Sequence, residues 1–205
     1  MSEASRRTAA LVSMIHRELT KPRGFKKRGA TMNRYLPGDP YGAVHVLNVQ
    51  ASRANIGDRC EVFINLGADF LRAQPAGVYK EHVCPFRKRV GDVWPVEADV
   101  DASAEGLLAA LVEEGDSFFG RFADAHDYLE DVDRQVKENG GDYSVIGNCG
   151  VPSRICEMWV CFGQPSKARA ALEGTLRWFA AERPRADPGR VHAFARSLGL
   201  EPLNP

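Results

Sequence analysis

The spacing of apolar positions divides the chain into an early part with strand character and a later helical part. Leu11, Met14, Ile15 and Leu19 recur at three- and four-residue steps, which puts one apolar stripe on a helix over residues 5–20. Pro22 and Gly24 end it. Residues 30–36 read as a short strand that runs into the turn residues Pro37-Gly38-Asp39-Pro40. Val44 to Gln50 and Cys60 to Gly67 are strand-length and rich in β-branched residues. The connection between them, holding Asn55 and Gly57, is too short for a crossover helix, so the pair is expected to be antiparallel. Residues 79–90 read as one more extended segment.

From Ser103 the period becomes helical. Leu107, Leu108, Leu111 and Val112 form one stripe, and Phe118, Phe119, Phe122, Leu129, Val132 and Val136 continue it past a weak point at Gly115. Asn139-Gly140-Gly141-Asp142 stops the run. The dense apolar run from Ile155 to Phe162 fits a strand or a buried helix, and the helices that follow tip the reading to helix. Pro165-Ser166 opens the first of these, with Leu172, Leu176 and Phe179 on one side; Asp187-Pro188 opens the second and Gly199 closes it. The order predicts an α+β fold. An antiparallel sheet of about four strands, packed by the N-terminal and central helices, would occupy residues 1–138. A helical C-terminal extension, residues 139–205, would pack on the same domain.

Charge changes this picture. Residues 1–90 carry 16 Lys and Arg against 7 Asp and Glu, so the zero net charge of the chain hides a basic first part and an acidic remainder. A basic region of this kind suits an anionic partner. Hydrophobic content of 44% with 26% charged residues is ordinary globular composition, which argues against disorder. Charged residues interrupt the apolar positions of the first twenty residues, and no apolar run approaches the roughly 18 residues needed to span a bilayer. A cytoplasmic protein without a membrane partner is expected. Five cysteines without a CxxC pair read as free thiols, with neither a structural zinc site nor any other metal implied.

The candidate chemistry lies in the basic part. On a strand Asn48 and Gln50 share a face, and Asn65 on the next strand could join them in a polar row that supplies both donors and acceptors. The plainer reading is the solvated face of an antiparallel sheet. Lys26, Lys27 and Arg28 form one basic cluster, and Arg87, Lys88 and Arg89 a second; if they converge they suit a phosphate or a carboxylate-rich surface. In an extended segment His82 and Cys84 would share a face, where nearby arginines would favour a thiolate nucleophile. A buried cysteine beside a surface histidine is the plainer alternative. His126 and Glu130, one turn apart among Asp124, Asp127 and Asp131, read as an acidic solvated face rather than a metal site. Asn148-Cys149-Gly150 lacks the flanking residues of a papain-type nucleophile, and Gly140-Gly141 lacks a phosphate-loop lysine.

The motifs Gly24-Phe25-Lys26-Lys27-Arg28-Gly29, Asn48-Val49-Gln50-Ala51-Ser52, Asn65-Leu66-Gly67 and Cys84-Pro85-Phe86-Arg87-Lys88-Arg89-Val90-Gly91 occur in that order. In these the chain resembles a bacterial domain-of-unknown-function family, number four-three-zero-four, over roughly residues 8–135. The resemblance implies a family without an established enzymatic activity, among small accessory or toxin-neutralising proteins. The leading expectation is therefore a non-enzymatic protein-interaction module, of immunity or accessory type, that needs no cofactor and binds an anionic partner surface. Lys26, Lys27, Arg28, Asn48, Gln50, Asn65, Arg87, Lys88 and Arg89 would contribute to that surface. One alternative is a small enzyme or ligand-binding domain that holds an anionic substrate with Arg87 and Arg89 and uses His82 or Cys84 for chemistry. A nucleic-acid-binding accessory protein is the other.

Overall fold

A computed structural model describes residues 2–142, 152–182 and 187–204. Its contacts divide the chain into two compact units, Met1–Asp124 and Ala125–Pro205. The fold is α+β. The division falls one helix earlier than the expected boundary at 138.

The first unit opens with α1 (Glu3–Ile15), capped by Ser2, whose hydroxyl accepts from the Ser5 amide. A single π-helical turn, His16–Thr20, extends it, so the expected helix over residues 5–20 is present. Five strands follow: β1 (Lys26–Arg28), β2 (Thr31–Leu36), β3 (Gly42–Ala51), β4 (Glu61–Leu71) and β5 (Phe86–Pro95). They form one antiparallel sheet in chain order, with β1 and β5 at its edges. The strand absent from the sequence reading is β1, whose three charged residues carry no apolar alternation. It pairs with β2 across the turn at Gly29 and Ala30, where Gly29 adopts φ +62°.

The segment 79–90 is extended only from Phe86 onward. Before it, Glu81–Val83 make a short 3-10 turn. Two side chains hold this part out of the ladder: Tyr79 donates its hydroxyl to buried Asp69, and Cys84 sits against Gly67.

Helix α2 (Val100–Arg121) starts at Asp99, whose carboxylate accepts from the Asp101 and Ala102 amides. It passes through Gly115 without interruption, so the expected weak point is not the break. The chain leaves the helix at Phe122, where φ is −111°. Its carbonyl there accepts from His45 instead of a helical amide.

One face of the sheet is dry. Met32, Leu47, Val49, Ile64, Leu66 and Val90 form a core with Leu11 and Ile15 of α1 and with Leu107 and Leu111 of α2. Burial at this scale, about 25 cal/mol per Å² of apolar surface, is what holds the helices on the sheet. The opposite face is covered only in part, by a smaller cluster of Val44, Val46 and Cys84 with Tyr35, Leu71 and Tyr79 against it.

The second unit contains α3 (Ala125–Glu138), α4 (Pro152–Cys161), α5 (Pro165–Glu182) and α6 (Gly189–Ser197). The apolar run after Ile155 is therefore helical, with Ile155, Cys156, Met158 and Trp159 buried. Gly140 and Gly141, both at positive φ, terminate α3. The Asn148-Cys149-Gly150 segment lies outside the described residues. No helix among the described residues is long and apolar enough to cross a membrane.

A candidate anion-binding groove on the sheet

Strand periodicity separates the two basic clusters by parity. Across β1 to β5 the register aligns Arg28, Thr31, Asn48, Asn65 and Arg89 in one row. The next row aligns Lys26, Asn33, Val46, Gly67 and Arg87. Both rows belong to the face away from α1 and α2, because Lys27 pairs with Met32 and Lys88 with Leu66, and these two are core residues. The charged ends of Lys27 and Lys88 thus turn to the helix side of the sheet. The Lys27 ammonium donates to Ser13 of α1, and Lys88 forms an ion pair at 3.0 Å with Glu114 of α2.

Lys26, Arg28, Arg87 and Arg89 remain on the open face. Among the described residues none of the four makes an ion pair. Arg28 and Arg89 stand at opposite ends of one row, about 19 Å apart at about 4.8 Å per strand. Arg89 is fixed in place: its Nε donates to Asn65 at 3.4 Å, and its guanidinium lies 4.5 Å from the centre of the Phe63 ring. The amides between are linked by hydrogen bonds. Asn48 donates to Thr31 at 2.9 Å, and Asn65 donates to Gln50 at 3.4 Å.

The loop between β4 and β5 converts part of this face into a groove. Asn33 donates to the Tyr79 carbonyl at 2.7 Å, and the Tyr79 hydroxyl reaches Asp69 at 2.6 Å. Gly67 leaves the notch that Cys84 enters; a Cβ there would lie 2.7 Å from the Cys84 sulfur. Two adjoining cavities result, sharing Arg28 and Val78. One, of about 580 Å³, is lined by Lys26, Lys27, Arg28, Asn33, Gln74 and Tyr79, among others, with the Lys27 ammonium turned away to Ser13. The other, of about 460 Å³, is lined by Arg28, Thr31, Asn48, Val78, Lys80, Glu81 and His82. Lys26, Arg28 and Lys80 therefore border a concave, amide-rich surface on which Glu81 is the carboxylate in the lining. An excess of one sign of charge in a concave site raises the local concentration of counter-charged ligand.

Cys84 does not match the nucleophile in the enzyme alternative. It is buried, its thiol points at the Lys80 carbonyl, and burial pushes it up to about 12, reinforced by the charges of Asp69 and Glu81 against the opposing Arg87. His82 is exposed on the 3-10 turn, where residues two apart do not share a face. Cys84 is thus the buried cysteine, and His82 the surface histidine, of the plainer reading.

Sequence reasoning missed Lys80, Thr31 and Asn33. The signal for the last two was present, since Thr31 and Asn33 alternate along β2 as Asn48 and Gln50 do along β3. It also passed over His45, which parity places on the core side. That ring is fully buried, stacked 4.6 Å from Phe119. Arg34 donates to its Nδ1 at 2.9 Å, so the proton resides on Nε2, which donates to the Phe122 carbonyl at 2.8 Å. Burial holds this histidine down to about 4, and the Arg34 charge acts in the same direction.

In the second unit His126, Asp127 and Glu130 group their ligand atoms within 4.8 Å of one another. All three are exposed, as expected for a solvated acidic face.

No family model matches the chain, and neither a curated protein nor a solved structure matches it. The resemblance to family four-three-zero-four rests on its motifs alone. In space the Asn48–Ser52 and Asn65–Gly67 motifs lie on the neighbouring strands β3 and β4, the Gly24–Gly29 motif lies on β1 beyond β2, and Cys84 packs onto Gly67.

Proposed function

We propose that the protein is a non-enzymatic interaction module that seats an acidic polypeptide segment in the groove beside β1. The observation that carries this reading is the concentration of Lys26, Arg28 and Lys80 on one concave surface without internal carboxylate partners among the described residues. A cation already neutralised inside the protein has little to offer a partner; an unpaired guanidinium beside amides can take a carboxylate through two parallel hydrogen bonds. The groove suits an extended segment rather than a compact ligand, because its two cavities follow each other along the sheet face. Charge complementarity of this kind governs encounter rate and selectivity more than raw affinity. An accessory or immunity-type role is the setting that the resemblance suggests for such a module.

The test uses a labelled peptide of alternating glutamate and proline. Proline lacks the backbone donor needed to join a sheet edge, so this probe reports on the groove. Fluorescence anisotropy should give saturable binding to the wild type and at least a tenfold weaker affinity for Arg28→Glu/Lys80→Glu. Equal affinity for both proteins, or tighter binding of a single-stranded oligonucleotide than of the peptide, would count against the reading.

A further inference from the structure

The edge opposite the groove has its own chemistry. Strand β5 is the last in the sheet, so among the described residues its outer backbone groups have no neighbouring strand. Its regular part is Phe86–Val90. Beyond it Gly91, at φ +59°, starts a bulge in which Ile64 faces Val90 while Val62 faces Trp94. The Trp94 indole donates to the Val90 carbonyl at 2.8 Å and closes that end of the edge. Along Phe86–Val90 the outward-facing backbone groups other than the Val90 carbonyl remain for pairing, with Arg87 and Arg89 exposed on one face and Lys88 on the other.

We infer that Phe86–Val90 accepts an extended acidic segment from a partner protein as an additional strand. Main-chain hydrogen bonds to an edge are available to any extended peptide, and side chains decide which one is accepted. Here directly opposed positions on the open face would meet Arg87 and Arg89, so acidic residues separated by one position fit them. The intervening residue faces Lys88, whose charge Glu114 already offsets, so it should be neutral. A second copy of this chain fits poorly: antiparallel pairing centred on Lys88 would set Arg87 against Arg89 twice and Lys88 against itself. Arg89 is prepared for the role by Phe63 and Asn65, which orient its guanidinium before a partner arrives.

This surface is separate from the groove and does not rest on the function proposed for it. The experiment uses the full chain and an eight-residue peptide of alternating glutamate and threonine, with a second version N-methylated at alternate amides. The unmodified peptide should bind and slow hydrogen exchange in the β5 segment. N-methylation, which removes backbone donors but keeps the charge, should weaken binding at least tenfold, and Arg87→Glu/Arg89→Glu should do the same. In Arg28→Glu/Lys80→Glu the peptide should still slow hydrogen exchange in the β5 segment, whatever it loses at the groove. Equal binding of the N-methylated peptide, protection confined to β1 and the β4–β5 loop, absence of binding, or self-association of the chain through β5 would each overturn the inference.

Discussion

His45 shows what a single buried ring does to the first unit. Its neutral form is stacked on Phe119 and bridges Arg34 to the end of α2, so protonation would set a second cation beside a guanidinium in the core. The folded-state pKa lies below the unfolded value, about 4 against 6.5. Between those values the unfolded chain binds more protons, so the stability is fully present above pH 6.5 and is lost as pH falls toward 4. A displacement of this size corresponds to about 3 kcal/mol at most. His16 is also held low, chiefly by burial, and adds in the same direction. Hydrogen exchange at β3 amides, compared between pH 7.5 and pH 5, should therefore show a larger loss of protection in the wild type than in His45→Gln. The same pH dependence in both proteins would refute this role. The position was legible: the alternation Val44, Val46, Asn48 against His45, Leu47, Val49 already assigns the ring to the core. Its partners were not, because Arg34 and Phe122 are brought to it by register and by a helix end rather than by spacing in sequence.

At the scale of elements the loop docked on the open face matters most. Residues 79–85 read as extended in sequence, yet Tyr79 and Cys84 spend their side chains on the sheet surface instead of on a ladder. The reason lies in β4, far along the chain: a glycine at 67 and an aspartate at 69 create a notch and a buried acceptor. Local pattern carries no trace of such a pairing. Gly67→Ala would force a methyl group to within 2.7 Å of the Cys84 sulfur and 3.0 Å of its Cβ, and should destabilise the first unit by about 1–3 kcal/mol. Combining it with Cys84→Ala should recover part of that loss, because the two residues share one space. Denaturation midpoints for the four proteins of this cycle check the prediction; strict additivity would show that the contact does not hold the loop.

For the whole molecule, charge was the most readable signal and its meaning the least. The excess of Lys and Arg before residue 90 marks the sheet as the basic part, and the α+β order follows from where apolar periodicity changes. What composition cannot convey is the sorting of charges by strand parity. Lys26 and Arg28 face the groove while Lys27 between them turns to α1, and Lys88 is neutralised by α2 whereas Arg87 and Arg89 are not. Three consecutive basic residues thus serve two surfaces with different fates. The silence of β1 in the sequence pattern follows the same logic, since a strand of Lys-Lys-Arg has no apolar face to announce it and is held by its turn and by β2.

The comparison that tests this sorting most directly is the affinity of the glutamate–proline peptide for Arg28→Glu and for Lys27→Glu, measured at two salt concentrations. Both variants change the net charge equally, at neighbouring positions in one strand. Arg28→Glu should lose at least several-fold in affinity and flatten the salt dependence, while Lys27→Glu should stay close to the wild type in both. Equal losses from the two variants would mean that only overall charge attracts the peptide, and the groove would have no part in binding it.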